Sequence, residues 1–86
     1  MNFAVYLLIS KIKDRYVTYV GYTNNLKNRL KLHNSGKGAK FTRGKNWVLV
    51  YKKRYSNKSE AMKEELKLKN DKKKRSSIKL KYINNL

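Results

Sequence analysis

The first apolar run, Phe3-Ala-Val-Tyr-Leu-Leu-Ile9, holds seven residues without a polar break and is rich in strand formers. It predicts a buried strand. Lys11 to Arg15 is polar, and Lys13-Asp14 within it suits a hairpin connection. Tyr16-Val-Thr-Tyr-Val-Gly-Tyr22 is β-branched or aromatic apart from Gly21 and predicts the returning strand. A glycine inside a strand pattern marks close approach by a ligand or another part of the chain. Thr23, Asn24 and Asn25 then offer N-caps, and Leu26, Leu30 and His33 fall on one helical face. Asn34-Ser-Gly-Lys-Gly38 stops that helix, with Gly36 suited to the left-handed position beyond its end. A basic loop runs to Asn46. Trp47 to Tyr51, extending to Tyr55, predicts a third strand. Asn57 followed by Glu60 resembles a capping box, and Ala61, Met62 and Leu66 form a helical stripe between Ser59 and Asn70. Asp71 to Arg75 reads as a basic break, and Ile78, Tyr82, Ile83 and Leu86 as a last helix. The expected order is β-β-α-β-α-α: an α+β fold in one domain over residues 1–86, with no repeat, linker or low-complexity tail.

Composition narrows what such a fold can do. The chain has 86 residues, so its core is small, and without cysteine no disulfide or thiolate-zinc site can reinforce it. One histidine excludes a His-rich metal site. No apolar window approaches 18 residues, and the first strand lacks the flanks of a signal peptide, so a cytoplasmic protein is expected. Charge is the dominant feature: 23 Lys and Arg against 5 Asp and Glu, a net +18. A surplus of that size attracts polyanions, of which nucleic acid is the usual one inside a cell. Eighteen of the basic residues are Lys, which suit phosphates better than base edges. An anionic membrane surface is the competing partner, but only the last helix offers a weak amphipathic pattern for it.

Five residues carry candidate chemistry. Tyr6 and Tyr19 lie mid-strand on two strands that should pair; as plain core aromatics they would still need partners for their hydroxyls. Arg29 sits beside the apolar stripe of the first helix, and His33 lies one turn further on. Each alone reads as easily as a solvated or packing residue. Glu65 flanks the apolar stripe of the second helix, whereas Glu64 points elsewhere. A carboxylate there needs a cation or a hydrogen-bond donor. Lys69 at i+4 is the simple partner; a divalent metal ion is the other.

The order of these residues resembles the GIY-YIG nuclease family. Ala4-Val5-Tyr6 stands for Gly-Ile-Tyr and Tyr19-Val20-Gly21 for Tyr-Ile-Gly, followed by Arg29, His33-Asn34 and Glu65. Tyr22 to Leu30 is similar to the family's strand-to-helix step. His33 to Arg43 is similar to a loop of its small stand-alone members, those like the N-terminal domain of excinuclease C. Ser59 to Lys69 resembles their metal-binding helix. Ala4 departs from the first Gly, and Phe41 stands where Tyr is common.

The resemblance implies a three-stranded antiparallel sheet flanked by helices, and a DNA endonuclease of the repair and recombination type that uses one Mg²⁺ or Mn²⁺. In that reading Tyr6 deprotonates the attacking water with help from Tyr19. Arg29 stabilises the scissile phosphate, His33 assists near the phosphate or Tyr6, and Glu65 holds the metal. Lys37, Lys40, Arg43 and Lys45 of the loop contact flanking phosphates. A site crowded with Arg29, the metal and many lysines is expected to favour tyrosinate. With no base-reading helix, recognition follows DNA structure or a protein partner. The alternative is a non-catalytic module that binds DNA or RNA.

Overall fold

The computed structural model describes residues 2–86. Its elements are β1 (Phe3–Ile12), β2 (Arg15–Thr23), α1 (Leu26–Asn34), a 3-10 turn (Lys40–Thr42), β3 (Val48–Tyr55), α2 (Lys58–Asn70) and α3 (Lys72–Asn84). The three strands form one antiparallel sheet in the order β2-β1-β3. The expected α+β order is therefore observed.

β1 is central and covered on both faces, which is why its sequence shows no alternation: Ala4 through Ser10 are all buried. Register assigns the faces. Val5 pairs with Tyr22 and Leu7 with Val20, and this face packs against Ala61 and Leu68 of α2 and Ile78 of α3. Tyr6 pairs with Gly21 and Leu8 with Tyr19, and this opposite face packs against Leu26 and Leu30 of α1 and against Trp47. A bulge interrupts the β1–β3 ladder: Leu7 faces Tyr51 and Leu8 faces Leu49, leaving Val50 as the extra residue.

The connections follow local chemistry. Ile12 pairs with Arg15, so Lys13-Asp14 is a two-residue hairpin turn, and Lys13 takes the positive φ of 58° that primed turns need. Asn25 caps α1 by accepting the Asn28 amide. At its other end Lys37 N–H donates to the Leu32 carbonyl and Gly36 N–H to that of His33, with Gly36 at φ 80°: a Schellman closure. Asn57 caps α2 through the Glu60 amide.

Three expectations are corrected. The buried line of α2 is Ala61 and Leu68; Met62 and Leu66 are 47% and 58% exposed. The helix approaches the sheet along its Ala61 side, where a small side chain allows close packing. The break after α2 is Asp71 alone, not Asp71 to Arg75. Its carboxylate accepts the Lys74 amide and starts α3 at Lys72, while Arg75 Nε donates to the Leu68 carbonyl. Trp47 precedes β3 rather than opening it, because its backbone is held by Asn34 instead of the sheet.

Candidate active site

β1, β2 and α1 bring Tyr6, Tyr19, Arg29 and His33 to one place. Tyr6 is 1% exposed, and its Oη lies 2.9 Å from His33 Nε2. The Tyr19 ring meets the His33 ring edge-on at 5.1 Å between centroids. Gly21 makes room for the Tyr6 phenol: a Cβ at Gly21 would fall 2.3 Å from Tyr6 Oη. The glycine in Tyr19-Val20-Gly21 is thus required by the tyrosine on the neighbouring strand. Gly38 serves His33 likewise, since a Cβ there would lie 2.3 Å from Nδ1.

The imidazole tautomer follows from a count of protons. Thr42 Oγ1 donates to the Ala39 carbonyl at 2.8 Å and accepts the Ala39 amide at 3.1 Å. Its single proton is then used, so at 2.9 Å it can only accept from His33 Nδ1–H. In neutral His33 this leaves Nε2 bare, and Nε2 accepts the Tyr6 hydroxyl. His33 and Thr42 are both fully buried. A continuous relay therefore runs Tyr6 O–H to Nε2, and Nδ1–H to Thr42. Burial pushes the pKa of His33 down, and the Arg29 charge adds to that, so the ring is held neutral.

Tyr6 corrects one expectation. Burial pushes its pKa up; the Arg29 guanidinium beside the hydroxyl opposes this, and the Tyr19 and Glu65 charges reinforce it. Among the protein's own groups desolvation outweighs the Arg29 charge, so without a bound cation the phenol stays protonated. The Glu65 charge is the smallest of these influences on Tyr6. Glu65 is largely shielded, 18% exposed in its side chain, and faces Lys69 at 3.7 Å. Glu64 points to the other side of α2, into a cleft with Val5, Tyr51, Tyr55 and Leu68.

Among the described residues no three His, Asp or Glu side chains cluster as a metal cage. The one carboxylate whose charge reaches Tyr6 is that of Glu65. That fits an ion such as Mg²⁺, which keeps several waters and takes substrate oxygens for the rest of its shell, and does not fit zinc.

The loop after α1 forms the wall of the site. Asn34 clamps its far end, donating from Nδ2 to the Trp47 carbonyl at 3.1 Å and accepting the Trp47 amide at 2.6 Å. The Trp47 indole N–H donates to the Thr42 carbonyl at 3.0 Å. Phe41 stacks on Tyr19 at 6.3 Å and 17°. Lys37, Lys40 and Arg43 are exposed on this loop. Lys45 is tied into it, donating to the Phe41 carbonyl at 2.8 Å and lying 4.9 Å over that ring. Sequence reasoning missed Thr42, Gly38 and the Asn34 clamp. For Thr42 the only signal is a spacing, Ala39 to Thr42, that permits a local hydroxyl-to-backbone turn.

Residues 2–79 match the GIY-YIG catalytic domain family. A UPF0213 protein of Oceanobacillus iheyensis is 49% identical over 65 residues, covering 74% of each chain. One from Staphylococcus haemolyticus is 48% identical over 65 residues, 74% of this chain and 78% of its own. A solution structure of a UPF0213 protein from Bacillus halodurans is 42% identical, covers 94% of this chain and 86% of that one, and superposes with a TM-score of 0.49. The match runs over most of the chain, and the chain belongs to that family: it is a small GIY-YIG-domain protein akin to the UPF0213 group.

Proposed function

We propose that the protein is a metal-dependent endonuclease that hydrolyses DNA phosphodiester bonds. The observation that carries the reading is the convergence of Tyr6, Tyr19, Arg29 and His33, with the Glu65 charge acting on Tyr6. A buried neutral phenol is a poor base by itself, because its usual pKa is about 10. The relay supplies a route. Tyr6 Oη accepts a proton from the attacking water while its own proton passes to His33 Nε2. The water oxygen bonds to phosphorus as the bond to the leaving oxygen breaks. Tyr19, half-buried between His33 and Phe41, orients the water. Arg29 balances charge building on the phosphate. Glu65 would hold one Mg²⁺ or Mn²⁺, whose chemistry when bound is to neutralise the leaving oxygen. Lys37, Lys40 and Arg43 hold phosphates without reading bases, so selectivity follows DNA structure or a targeting partner, in cytoplasmic repair or recombination.

The test is cleavage of supercoiled plasmid and branched DNA with Mg²⁺ or Mn²⁺ against EDTA. Glu65→Gln keeps side-chain size and removes the charge. It should abolish cleavage and leave DNA affinity intact, while Glu64→Gln, on the other side of α2, cleaves normally. Equal cleavage by wild type and Glu65→Gln would remove the metal from this site. The ion pair of Glu65 with Lys69 favours a second reading, a non-catalytic nucleic-acid-binding module. Metal-independent binding without any cleavage would select it.

A further inference from the structure

Lys52 and Arg54 lie on β3, one strand away from Tyr6, and the relay does not use them. Register fixes their direction. Tyr6 pairs with Lys52 and Ala4 with Arg54, and paired residues of an antiparallel ladder project to the same face. That face carries Tyr6 and α1. The surroundings of Arg54 agree: it lines a 250 Å³ pocket with Ala4, Thr23 and Lys27 at the start of α1. Lys53, between the two, pairs with Val5 and projects to the opposite face, where its Nζ lies over the Tyr55 ring.

Lys27, Lys52 and Arg54 are exposed, and among the described residues none of their side chains has a carboxylate or hydrogen-bond partner within the protein. No carboxylate is close in sequence either. Between Asp14 and Glu60 the chain runs 45 residues without one, with 12 Lys and Arg in the interval. That interval builds β2, α1, the loop and β3. The loop cations Lys37, Lys40 and Arg43 follow the C-terminal end of α1, whereas Lys27 and Arg54 meet at its N-terminal end.

We propose that Lys52 and Arg54, with Lys27, form a second phosphate-contact arm for duplex DNA, so that the substrate backbone is held on both sides of the Tyr6 site. This rests on the nuclease reading for its substrate, but its test needs no cleavage. Binding of a fluorescein-labelled 20-base-pair duplex is followed by anisotropy in EDTA across a salt series. Each phosphate contact contributes about 0.9 to the slope of log affinity against log salt. Lys52→Gln with Arg54→Gln should lower the slope by about 1.8. Lys53→Gln removes the same charge from the adjacent position on the other face and should leave the slope unchanged. An unchanged slope in the double variant, or a fall in Lys53→Gln equal to that of Lys52→Gln alone, overturns the proposal. A normal β3 dependence in a protein that cleaves nothing would sink the nuclease reading and keep the arm.

Discussion

Thr42 does more than its size suggests. Its hydroxyl has one proton and three neighbours, and that arithmetic decides which nitrogen of His33 faces Tyr6. Thr42→Val keeps the shape and deletes the acceptor for Nδ1–H, so the ring is free to take the tautomer that blocks proton uptake from Tyr6. Cleavage should fall about ten- to a hundredfold in kcat, the range seen when the partner orienting an imidazole is lost, with KM for DNA unchanged. Thr42→Ser should restore most of it. A Val variant as fast as wild type would show that Thr42 only packs. Because the pKa of His33 is lowered, the acid limb of the rate profile should lie below pH 6.5, and a limb above it would argue against His33 as the acceptor. Gly21→Ala is the steric counterpart. Its new methyl collides with the Tyr6 hydroxyl, and the overpacking should cost about 1–3 kcal/mol, read as a lower Tm together with lost cleavage. Residue type alone leaves Tyr6, Tyr19, Arg29, His33 and Glu65 ambiguous, and it is their order, through the family resemblance, that singles them out. Neither type nor order reveals Thr42, whose partners come from a loop without periodicity and a helix nine residues away.

Elements are legible where their pattern is dictated by what they bury. β1 reads as a core strand because both its faces are covered, and α1 because caps and apolar spacing coincide. α2 departs from its apolar pattern at Met62 and Leu66 because hydrophobicity marks which residues can be buried, while the face chosen depends on the small Ala61 meeting the sheet. The loop between α1 and β3 is legible only as basic. What gives it shape is Asn34, which substitutes for a strand partner by bonding both backbone groups of Trp47. Asn34→Ala removes both bonds and leaves partly buried backbone groups of Trp47 without a protein partner, at about 1 kcal/mol. The consequence should centre on the loop. Amide exchange from Gly38 to Trp47 should accelerate while β1 and α2 keep their protection, and uniform acceleration along the chain would contradict a local clamp.

At the scale of the whole molecule, charge and a small core set the behaviour. If about six phosphates are neutralised, affinity for duplex DNA should drop on the order of a thousandfold between 50 and 200 mM salt. A flat salt response would exclude a phosphate-dominated interface. The longest dimension is 38 Å, so one molecule should cover no more than roughly eleven base pairs, which a stoichiometric titration measures. Stability should also depend on pH in two windows. The unfolded chain takes a proton on His33 near pH 6.5 and the folded one resists it, so stability falls as pH drops below 6.5. Tyr6 acts in the opposite sense: its folded pKa is raised, so stability falls as pH climbs past about 10, where the unfolded phenol ionises. A Tm that stays constant from pH 7 down to 5 would argue against a neutral, desolvated His33.

The relay draws one side chain each from β1, α1 and the loop, so it exists only when all three are in place. The +18 needs no fold at all. An unfolded or nascent chain is therefore a polycation that clings to DNA and cannot cut it. Because DNA has affinity for both states, it stabilises the native one by less than its dissociation constant would suggest. Melting temperature is for that reason a poor reporter of how tightly this protein holds its substrate, and cleavage a sensitive reporter of whether it is folded.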